Sequence, residues 1–536
     1  MLHITIKKSI RMALAILSVA FFTNCDDNVT DLSPLATISD LTAYDTPEHC
    51  ELSVIGAYNA ACNGRYNGSY SRGYPFGAAS IEQGEMRGED MGLTAVFYDI
   101  TFSSSYTTST ANNQYYWEAS FECIARVNTV IQGIEEALKN GILTEGAGNN
   151  YLAELYFLRA LTYSSLLIHF CYPVNIHDNN DYGLPIYTKP SNTPSLIEEN
   201  LKIGRSTVQE TYAQILKDLD EGEKLYSGNA RHKVNGISRV SKGSIIALKT
   251  RVYLHMREWA KVKTEAAKLT NGAMAPFTSP IGGYALTPSP ATPFNSYTNN
   301  SESIFSIENS AESNPGVNGA LSAMLSARTG GRAIVTSSPI LYNSKYWLED
   351  DKRRELLFYR ESDKYYFSDK YPSPQTMEEY APIIRYAEVL LNYSEAALRT
   401  GDKTLALELL NAVRNRSLAD PATQAYTAAD FATEKEFMEA ILWERRIEFH
   451  AEGRRWEDIH RLAVDDLVPS GGIPAKIDYS RTSKEDVFQV NTEINEKWFS
   501  PSRKFIPYSD KRFIWPIPIN DIVRYPVLAQ QQNKGW

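Results

Sequence analysis

The chain has 536 residues, a formal net charge of −10 and a hydrophobic fraction of 43%. This length fits two to four average domains, or one body if helices repeat, and the apolar fraction is enough for a large core. An acidic protein of this size argues against nucleic acid and against an anionic membrane surface as partners. Tyrosine is the commonest aromatic, with 33 copies against 20 phenylalanines and 8 tryptophans. Tyrosine suits half-buried surfaces that both stack and hydrogen-bond.

The amino terminus has the pattern of a secretion signal. Three basic residues precede the apolar run 12–22, which is far shorter than the roughly 20 residues that a membrane-spanning helix needs. Cys25 follows, with two aspartates after it, and this resembles a lipoprotein cleavage site. We therefore expect residues 1–24 to be a signal peptide and residues 25–45 to be a lipid anchor and tether. The alternative is ordinary secretion with Cys25 as an incidental thiol.

The remaining cysteines do not suggest a metal site. They are Cys50, Cys62, Cys123 and Cys171. A structural zinc site usually contains cysteines spaced C-x-x-C, and these four do not include such a pair. Cys50 and Cys62 are predicted on one helix, about 18 Å apart, which is too far for a disulfide. We expect buried free thiols.

Helical periodicity dominates the rest of the chain. The predicted helices span residues 46–62, 113–140, 151–170, 208–226, 243–256, 259–269, 385–399 and 404–416. The last four form two helix-turn-helix units that resemble tetratricopeptide hairpins in length and pattern. The sequence therefore predicts a mainly α fold. We expect a tetratricopeptide-like helical-hairpin solenoid of about eight helices, with a long irregular, loop-rich insert and minor short strands.

Two segments interrupt the helices. Residues 64–111 are rich in Gly, Ser and Tyr, and residues 272–380 are rich in Pro, Gly, Ser, Asn and aromatics. Long segments of this kind usually carry function. We assign residues 46–536 to a single body whose scaffold spans about 46–271 and 381–462, with recognition in the two interrupting segments.

Residues 437–462 read FMEAILWERRIEFHAEGRRWEDIHRL, and their apolar spacing predicts one long amphipathic helix. Glutamates four residues apart on such a helix repel one another unless cations lie between them. We predict a partly buried ion-pair network that locks this helix to its neighbours, formed by Glu444, Arg445, Glu448, Glu452 and Arg455. The alternative is an acid/base pair for hydrolysis, but nearby arginines should lower the pKa of the carboxyls, whereas a general acid needs a raised one.

The same stretch carries a family resemblance. WERRIEFHAEGRRWEDIHRL (443–462) is similar to the ERRxEF…EGxRWxDxxR signature of the SusD/RagB family of nutrient-binding outer-membrane lipoproteins. Further family blocks resemble YLAELYFLRALTYSSLLIHFCYPV (151–174), SKGSIIALKTRVYLHMREW (241–259), IIRYAEVLLNYSEAAL (383–398) and WPIPINDIVRYPVLAQQQNKGW (515–536). The resemblance covers nearly the whole mature chain.

The resemblance implies a non-catalytic lipoprotein on the cell surface, anchored in the outer membrane through Cys25. Such a protein captures an oligosaccharide or polysaccharide nutrient, less often a peptide, and delivers it to a SusC-like TonB-dependent transporter. Two other classes stay open: a secreted glycoside hydrolase, and a non-catalytic peptide-binding or protein-interaction scaffold. We expect no cofactor, no metal and no nucleic-acid partner.

The resemblance places the ligand surface in the two interrupting segments. Sugars offer apolar C–H faces to aromatic rings and hydroxyls to polar side chains. The candidates from residues 64–111 are Tyr70, Tyr74, Arg87, Asp90, Phe97, Tyr98 and Tyr106. Those from residues 272–380 are Tyr284, Tyr297, Asn343, Tyr346 and Trp347. The alternative for each is a loop residue that packs on the body.

Overall fold

The structure is a computed structural model that describes residues 42–62, 73–176, 181–232, 236–482 and 487–536, with the backbone of two short strands between 65 and 70. The predicted signal peptide and Cys25 lie outside these residues. Helices dominate and the strands are few and short, so the predicted mainly α class is confirmed. In the part of the chain that the structure describes, no helix is long and apolar enough to cross a membrane.

Eleven described helices have eight residues or more, against about eight predicted. They are α1 Pro47–Cys62, α2 Ala78–Arg87, α3 Ala111–Lys139, α4 Glu145–Phe170, α5 Val208–Leu225, α6 Lys242–His255, α7 Trp259–Ala267, α8 Tyr386–Arg399, α9 Lys403–Asn415, α10 Glu434–Glu448 and α11 Arg454–Arg461. All eight periodic segments are helical, with ends within six residues of prediction.

Capping residues explain where several helices begin. Thr207 Oγ1 accepts a hydrogen bond from the Glu210 amide at 3.1 Å, and the Glu210 carboxylate accepts one from the Thr207 amide at 2.8 Å. Thr433 and Glu436 make the same reciprocal pair at the start of α10. These boxes satisfy amide groups that the first helical turn leaves unpaired.

Consecutive helices pack against each other. Helix α4 packs on α3 and on α5, α6 packs on α7, α7 on α8, and α8 on α9. Small residues allow close approach in the last pair, where Ser394 Oγ donates to the Ala406 carbonyl at 2.7 Å. The helix pairs expected from the hairpin units are therefore present, while their tetratricopeptide-like superhelical arrangement stays a prediction.

The prediction of one helix over 437–462 is wrong. Helix α10 ends at Glu448 and α11 begins at Arg454, with Ala451 at φ 63° and Gly453 at φ 80° between them. Both residues occupy the left-handed region, which ends the α-helical path. The apolar spacing continues across the break because both helices bury a face in the same body, so periodicity alone did not reveal the turn.

The described strands form six two-stranded antiparallel sheets. The pairs are β1 Arg65–Tyr66 with β2 Ser69–Tyr70, β3 Met91–Leu93 with β7 Val335–Ser337, β4 Tyr182–Pro185 with β5 Arg205–Thr207, β6 Ser303–Ile307 with β10 Ala381–Arg385, β8 Leu357–Arg360 with β9 Tyr365–Ser368, and β11 Gly472–Ile473 with β12 Ile506–Pro507.

Short helical segments connect these elements. The α-helical ones are Asp99–Phe102, Pro194–Asn200, Thr292–Asn295, Leu321–Leu325, Pro339–Tyr342, Pro421–Gln424, Ile519–Arg524 and Pro526–Ala529. The 3₁₀ segments are Val96–Tyr98, Lys352–Leu356, Ala428–Asp430, Tyr479–Arg481, Glu496–Trp498 and Lys511–Phe513.

The two interrupting segments contribute to the core, which corrects the expectation of surface loops. All of α2 except Ser80 is buried, although it lies within residues 64–111. From residues 272–380, Phe305, Met324 and Tyr371 belong to the main hydrophobic core. The four described cysteines are free, as predicted, and three of them are buried.

Candidate functional site

The two interrupting segments lie side by side. Strand β3 pairs with β7, with Met91 opposite Ser337. Next to this pair, the Thr94 amide donates to the Ile334 carbonyl at 3.1 Å, and the Ser338 amide donates to the Asp90 carbonyl at 2.8 Å. Residues far apart in the chain therefore form one continuous part of the molecule.

Eight of the twelve candidate ligand residues are buried, each at most 2% exposed. They are Tyr74, Arg87, Asp90, Tyr98, Tyr106, Tyr284, Asn343 and Trp347. The guanidinium of Arg87 lies 3.3 Å from the centre of the Trp456 ring, and the carboxylate of Asp90 pairs with Arg446. In this structure they are out of a ligand's reach, so they leave the candidate set.

Several of their polar atoms form hydrogen bonds inside the fold. The Tyr284 and Ser241 hydroxyls are 2.7 Å apart. The Asn343 amide donates to the Val487 carbonyl at 3.0 Å. Buried polar groups of this kind stabilise a fold only when they are paired, and loop composition alone does not show whether a loop packs in this way.

Three candidates remain partly exposed. Phe97 lies under the guanidinium of Arg332, at 4.8 Å from ring centre to Cζ. Tyr297 lies 5.3 Å from the ring of Tyr380. Tyr346 stacks on Trp443 at 5.3 Å, with an angle of 13° between the planes. The side chain of the fourth remaining candidate, Tyr70, lies outside the described residues.

The structure adds an aromatic cluster that sequence reasoning missed. Tyr359 is 39% exposed, and its ring lies 4.9 Å from that of its strand partner Tyr366. Tyr366 stacks on Tyr342 at 4.5 Å with the planes 25° apart. Phe488 is edge-on to both Tyr342 and Tyr366. We call Tyr342, Tyr359, Tyr366 and Phe488 the hairpin array, a row of rings that reaches solvent at Tyr359.

A local signal for this cluster exists in the sequence. Residues 357–368 read LFYRESDKYYFS, two aromatic runs around a short charged turn, which is typical of a β-hairpin. Aromatic residues directly opposite each other on such strands come into contact. Strand–turn–strand pairing would therefore have found Tyr359 and Tyr366 together, but not their stacking on Tyr342.

The hairpin array can stack on a sugar and hydrogen-bond to it. Arg354 packs on one ring of the array and on a neighbouring ring, with its Cζ 4.4 Å from the ring centre of Tyr342 and 4.6 Å from that of Trp347. Arg354 Nε donates to the Leu348 carbonyl at 2.8 Å, which fixes the guanidinium. Burial raises the pKa of Tyr342, so its hydroxyl is neutral at physiological pH.

The five residues predicted to form an ion network all make ion pairs. Glu448 contacts Arg353 at 3.2 Å, Arg385 at 2.8 Å and Arg416 at 2.5 Å. The other pairs are Glu444–Arg353, Glu452–Arg385, Glu452–Lys370, Arg445–Asp458 and Arg455–Glu89. Burial by itself would raise the pKa of Glu448, but Arg416, Arg385 and Arg353 hold it well below its usual range. A carboxyl with so low a pKa is a poor general acid.

Among the described residues, no group of three or more His, Cys, Asp or Glu side chains is arranged to hold a metal ion. What the surface described above offers is aromatic rings, hydroxyls and a guanidinium, which suit a carbohydrate.

Comparisons with known proteins agree over both halves of the chain. The model of the SusD family matches residues 353–536, and a model described as "Starch-binding associating with outer membrane" matches residues 76–254. SusD-like protein P38 of Formosa agariphila is 25% identical over 509 residues, which cover 86% of this chain and 93% of that protein.

Solved structures share the fold over nearly the whole chain. A SusD superfamily protein from Bacteroides fragilis, 24% identical, superposes with a TM-score of 0.73 over 90% of this chain and 99% of its own. Surface glycan-binding protein A from Bacteroides uniformis, 20% identical, superposes with a TM-score of 0.66 over 91% of this chain and 99% of its own. The SusD family model and the second model each match about a third of the chain, on separate residues, so the chain resembles the SusD family in sequence over both regions and shares the fold of a SusD superfamily protein over nine tenths of its length.

Proposed function

We propose that the protein is a lipid-anchored glycan-binding protein of the cell surface. It captures an oligosaccharide or polysaccharide nutrient and delivers it to a SusC-like TonB-dependent outer-membrane transporter. The observation that carries the proposal is the hairpin array, a stacked row of rings that reaches the surface in the part of the molecule where the two interrupting segments meet. The matches to the two family models support it.

An open aromatic row suits a long, flexible polymer. Stacking contributes about 1–2 kcal/mol per ring, and immobilising the glycan offsets part of this gain. A few rings therefore give dissociation constants on the order of micromolar or weaker. Phe97, Tyr297 and Tyr346 are additional contacts in this proposal, since each is partly exposed in the same two segments.

A glycoside hydrolase and a protein-interaction scaffold are the two alternative functions, and each would require a different surface. A glycoside hydrolase needs two carboxyl groups beside the scissile bond, one of them with a raised pKa. The carboxylates of the 437–462 signature are instead buried in ion pairs with arginines and a lysine. A protein-interaction scaffold needs no exposed aromatic row. Binding without bond cleavage is therefore the function that the described geometry favours.

Titration calorimetry with neutral oligosaccharides of increasing length tests the proposal. Affinity should rise with length and then level off as the row is filled. Tyr359→Ala and Tyr366→Ala should each weaken binding by about tenfold, because a lost stack of about 1.4 kcal/mol corresponds to that factor. Leu52→Ala is the control, since Leu52 is an exposed apolar residue (50%) on α1, outside both the hairpin array and the two interrupting segments.

The outcomes separate the proposed function from its rivals. New reducing ends on incubation with glycans would establish a hydrolase. No affinity for any glycan, with a transporter still co-purifying from the native membrane, would establish a scaffold. Nanomolar binding of a monosaccharide would show an enclosed pocket and overturn the open-row interpretation.

A further inference from the structure

A cavity of about 310 Å³ is lined by residues outside the hairpin array. They come from three segments, 102–104, 473–476 and 502–512. None of the described lining residues is a carboxylate. Four of the lining side chains are cationic, namely Lys476, Arg503, Lys504 and Arg512. In a protein with a net charge of −10, this local excess of positive charge favours an anionic occupant.

Lys476 is the buried cation of the cavity. It is 2% exposed, and its ammonium donates to the Gly88 carbonyl. No carboxylate of the described residues lies within ion-pair distance of it. Burial lowers the pKa of Lys476 to about 7, Glu89 opposes this from farther away, and Arg455 adds to it. A buried ammonium without a counterion is costly, so an oxyanion in the cavity would stabilise its charged form.

The two arginines are held in place and only partly neutralised. Arg503 pairs with Asp99 at 2.9 Å, and Arg512 pairs with Asp510 at 2.7 Å. Lys504 is exposed and makes no ion pair with the described residues. Two arginines fixed by single carboxylates, with two lysines beside them, leave positive charge available to a ligand.

Aromatic surface accompanies the charge. The ring of Phe102 lies 5.3 Å from Lys476 Nζ and 5.3 Å from Arg503 Cζ. Phe505, which also lines the cavity, is 49% exposed. Phe102 is only 4% exposed, so Phe505 is the ring that a ligand can reach. A free inorganic anion has no use for that ring, whereas a sugar that carries an anionic group can stack on it and pair with the cations.

We propose that this cavity binds the carboxylate or sulfate ester group of an acidic glycan. The inference rests on the proposed function, which it narrows to a chemical class of glycan. The cavity volume of about 310 Å³ lies at the lower end of the range of small-molecule sites, which suits one charged sugar unit of a longer chain.

The test compares three probes of equal length on the purified mature protein. They are an oligogalacturonate, a chondroitin sulfate oligosaccharide and a neutral cello-oligosaccharide, each titrated at low and at high salt, with sodium sulfate alone as a fourth titrant. Lys504→Gln should weaken binding of one or both acidic probes by about tenfold and reduce its salt dependence, because one charge contact is lost. Lys497→Gln is the matched control, since Lys497 is an exposed lysine of the same region that does not line the cavity.

Arg503→Gln is the second variant, checked by its melting temperature because the Asp99 pair is removed with it. The inference is overturned if acidic and neutral probes bind alike, if Lys504→Gln and Lys497→Gln behave alike, or if sodium sulfate alone binds as tightly as the acidic glycans. In each of these cases the proposed function still holds if neutral glycans bind and if Tyr359→Ala weakens that binding. No binding of any glycan overturns both.

Discussion

At the scale of single residues, the buried ion network shows what the signature around residues 443–462 contributes. Glu448 is 3% exposed and shares its carboxylate among Arg353, Arg385 and Arg416, which come from three other parts of the chain. Removing one partner of a buried pair leaves the others uncompensated, and this costs more than the pair itself contributes.

Glu448→Gln should therefore lower the free energy of unfolding by about 3–5 kcal/mol. The pKa of Glu448 is held below its usual range in the folded protein. The stabilisation is therefore fully present above the pKa of a glutamate in the unfolded chain, about 4.3, and is lost as the pH falls from there toward the lower pKa of the folded state. Urea denaturation at neutral pH and near pH 3 measures the loss of stability in the variant and its dependence on pH. Glu434→Gln, an exposed position at the start of α10, should change little. A stable Glu448→Gln variant that no longer binds glycan would show that the network acts in binding.

Helix α2 carries carboxyl groups with the opposite behaviour. Burial raises the pKa of Glu82 to about 8, which Tyr98 and Arg332 only partly offset, and burial raises that of Glu85 to about 8 as well. The folded protein then binds more protons than the unfolded chain between about pH 4.5 and pH 8. The free energy of unfolding that these protonated carboxyl groups contribute is fully present near pH 4.5 and is lost as the pH rises toward 8.

Glu82→Gln should raise the melting temperature at pH 8.5 and leave it nearly unchanged at pH 4.5, because glutamine resembles the neutral carboxylic acid. The gain should amount to a few kcal/mol, at about 1.4 kcal/mol for each unit of pKa shift. Thermal unfolding monitored by circular dichroism across this pH range measures it. Glu48→Gln on the exposed side of α1 should show no such difference, and a flat profile for Glu82→Gln would contradict the explanation.

At the scale of elements, the turn between α10 and α11 is fixed by close backbone contact with α2. A Cβ added to Gly84 in α2 would lie 2.7 Å from the Gly453 carbonyl oxygen, and one added to Gly453 would lie 3.1 Å from the Ile81 Cα. Backbone atoms cannot move aside as a flexible side chain can, so the two segments must separate if either glycine gains a side chain.

Gly84→Ala should lower the free energy of unfolding by about 1–3 kcal/mol, the usual cost of overpacking. Gly56→Ala is a matched control in α1, where an added Cβ meets nothing within 4 Å. There the gain in helix propensity should stabilise the protein by about 0.5–1 kcal/mol. Chemical denaturation of both variants measures the difference, and equal effects would show that the α2 contact is not tight.

At the scale of the whole molecule, the proposed delivery of a glycan to an outer-membrane transporter requires that the protein be held at the membrane. The sequence predicts that this attachment is a lipid on Cys25. Cys25→Ala should move the protein from the membrane fraction to the soluble one while leaving its melting temperature and its glycan affinity unchanged. Detergent fractionation with surface protease treatment measures this. A Cys25→Ala variant that stays membrane-bound and surface-exposed would refute the anchor assignment.

The candidate site shows how far residue types alone can lead. Composition located the two segments that meet in the structure, and the partly exposed residues Phe97, Tyr297 and Tyr346 were among the candidates. Most of the others, such as Arg87 and Trp347, are buried, because a long loop in a large protein covers the body with some side chains and presents others. That division depends on what each side chain packs against.

The sequence by itself determined eight of the long helices, their pairing along the chain, the ion network and the family resemblance, since each leaves a local or repeated pattern. It did not reveal α2 or the turn between α10 and α11. Periodicity and capping involve residues within a few positions of one another. The tertiary structure alone decided which aromatic rings reach solvent and which cations gather around one cavity. The contact of Thr94 with the Ala333 carbonyl joins residues 239 positions apart, and the cavity joins residues 102–104 to residues 502–512. Contacts of that range leave no period in a single sequence, so only the folded chain reveals the surface that a ligand meets.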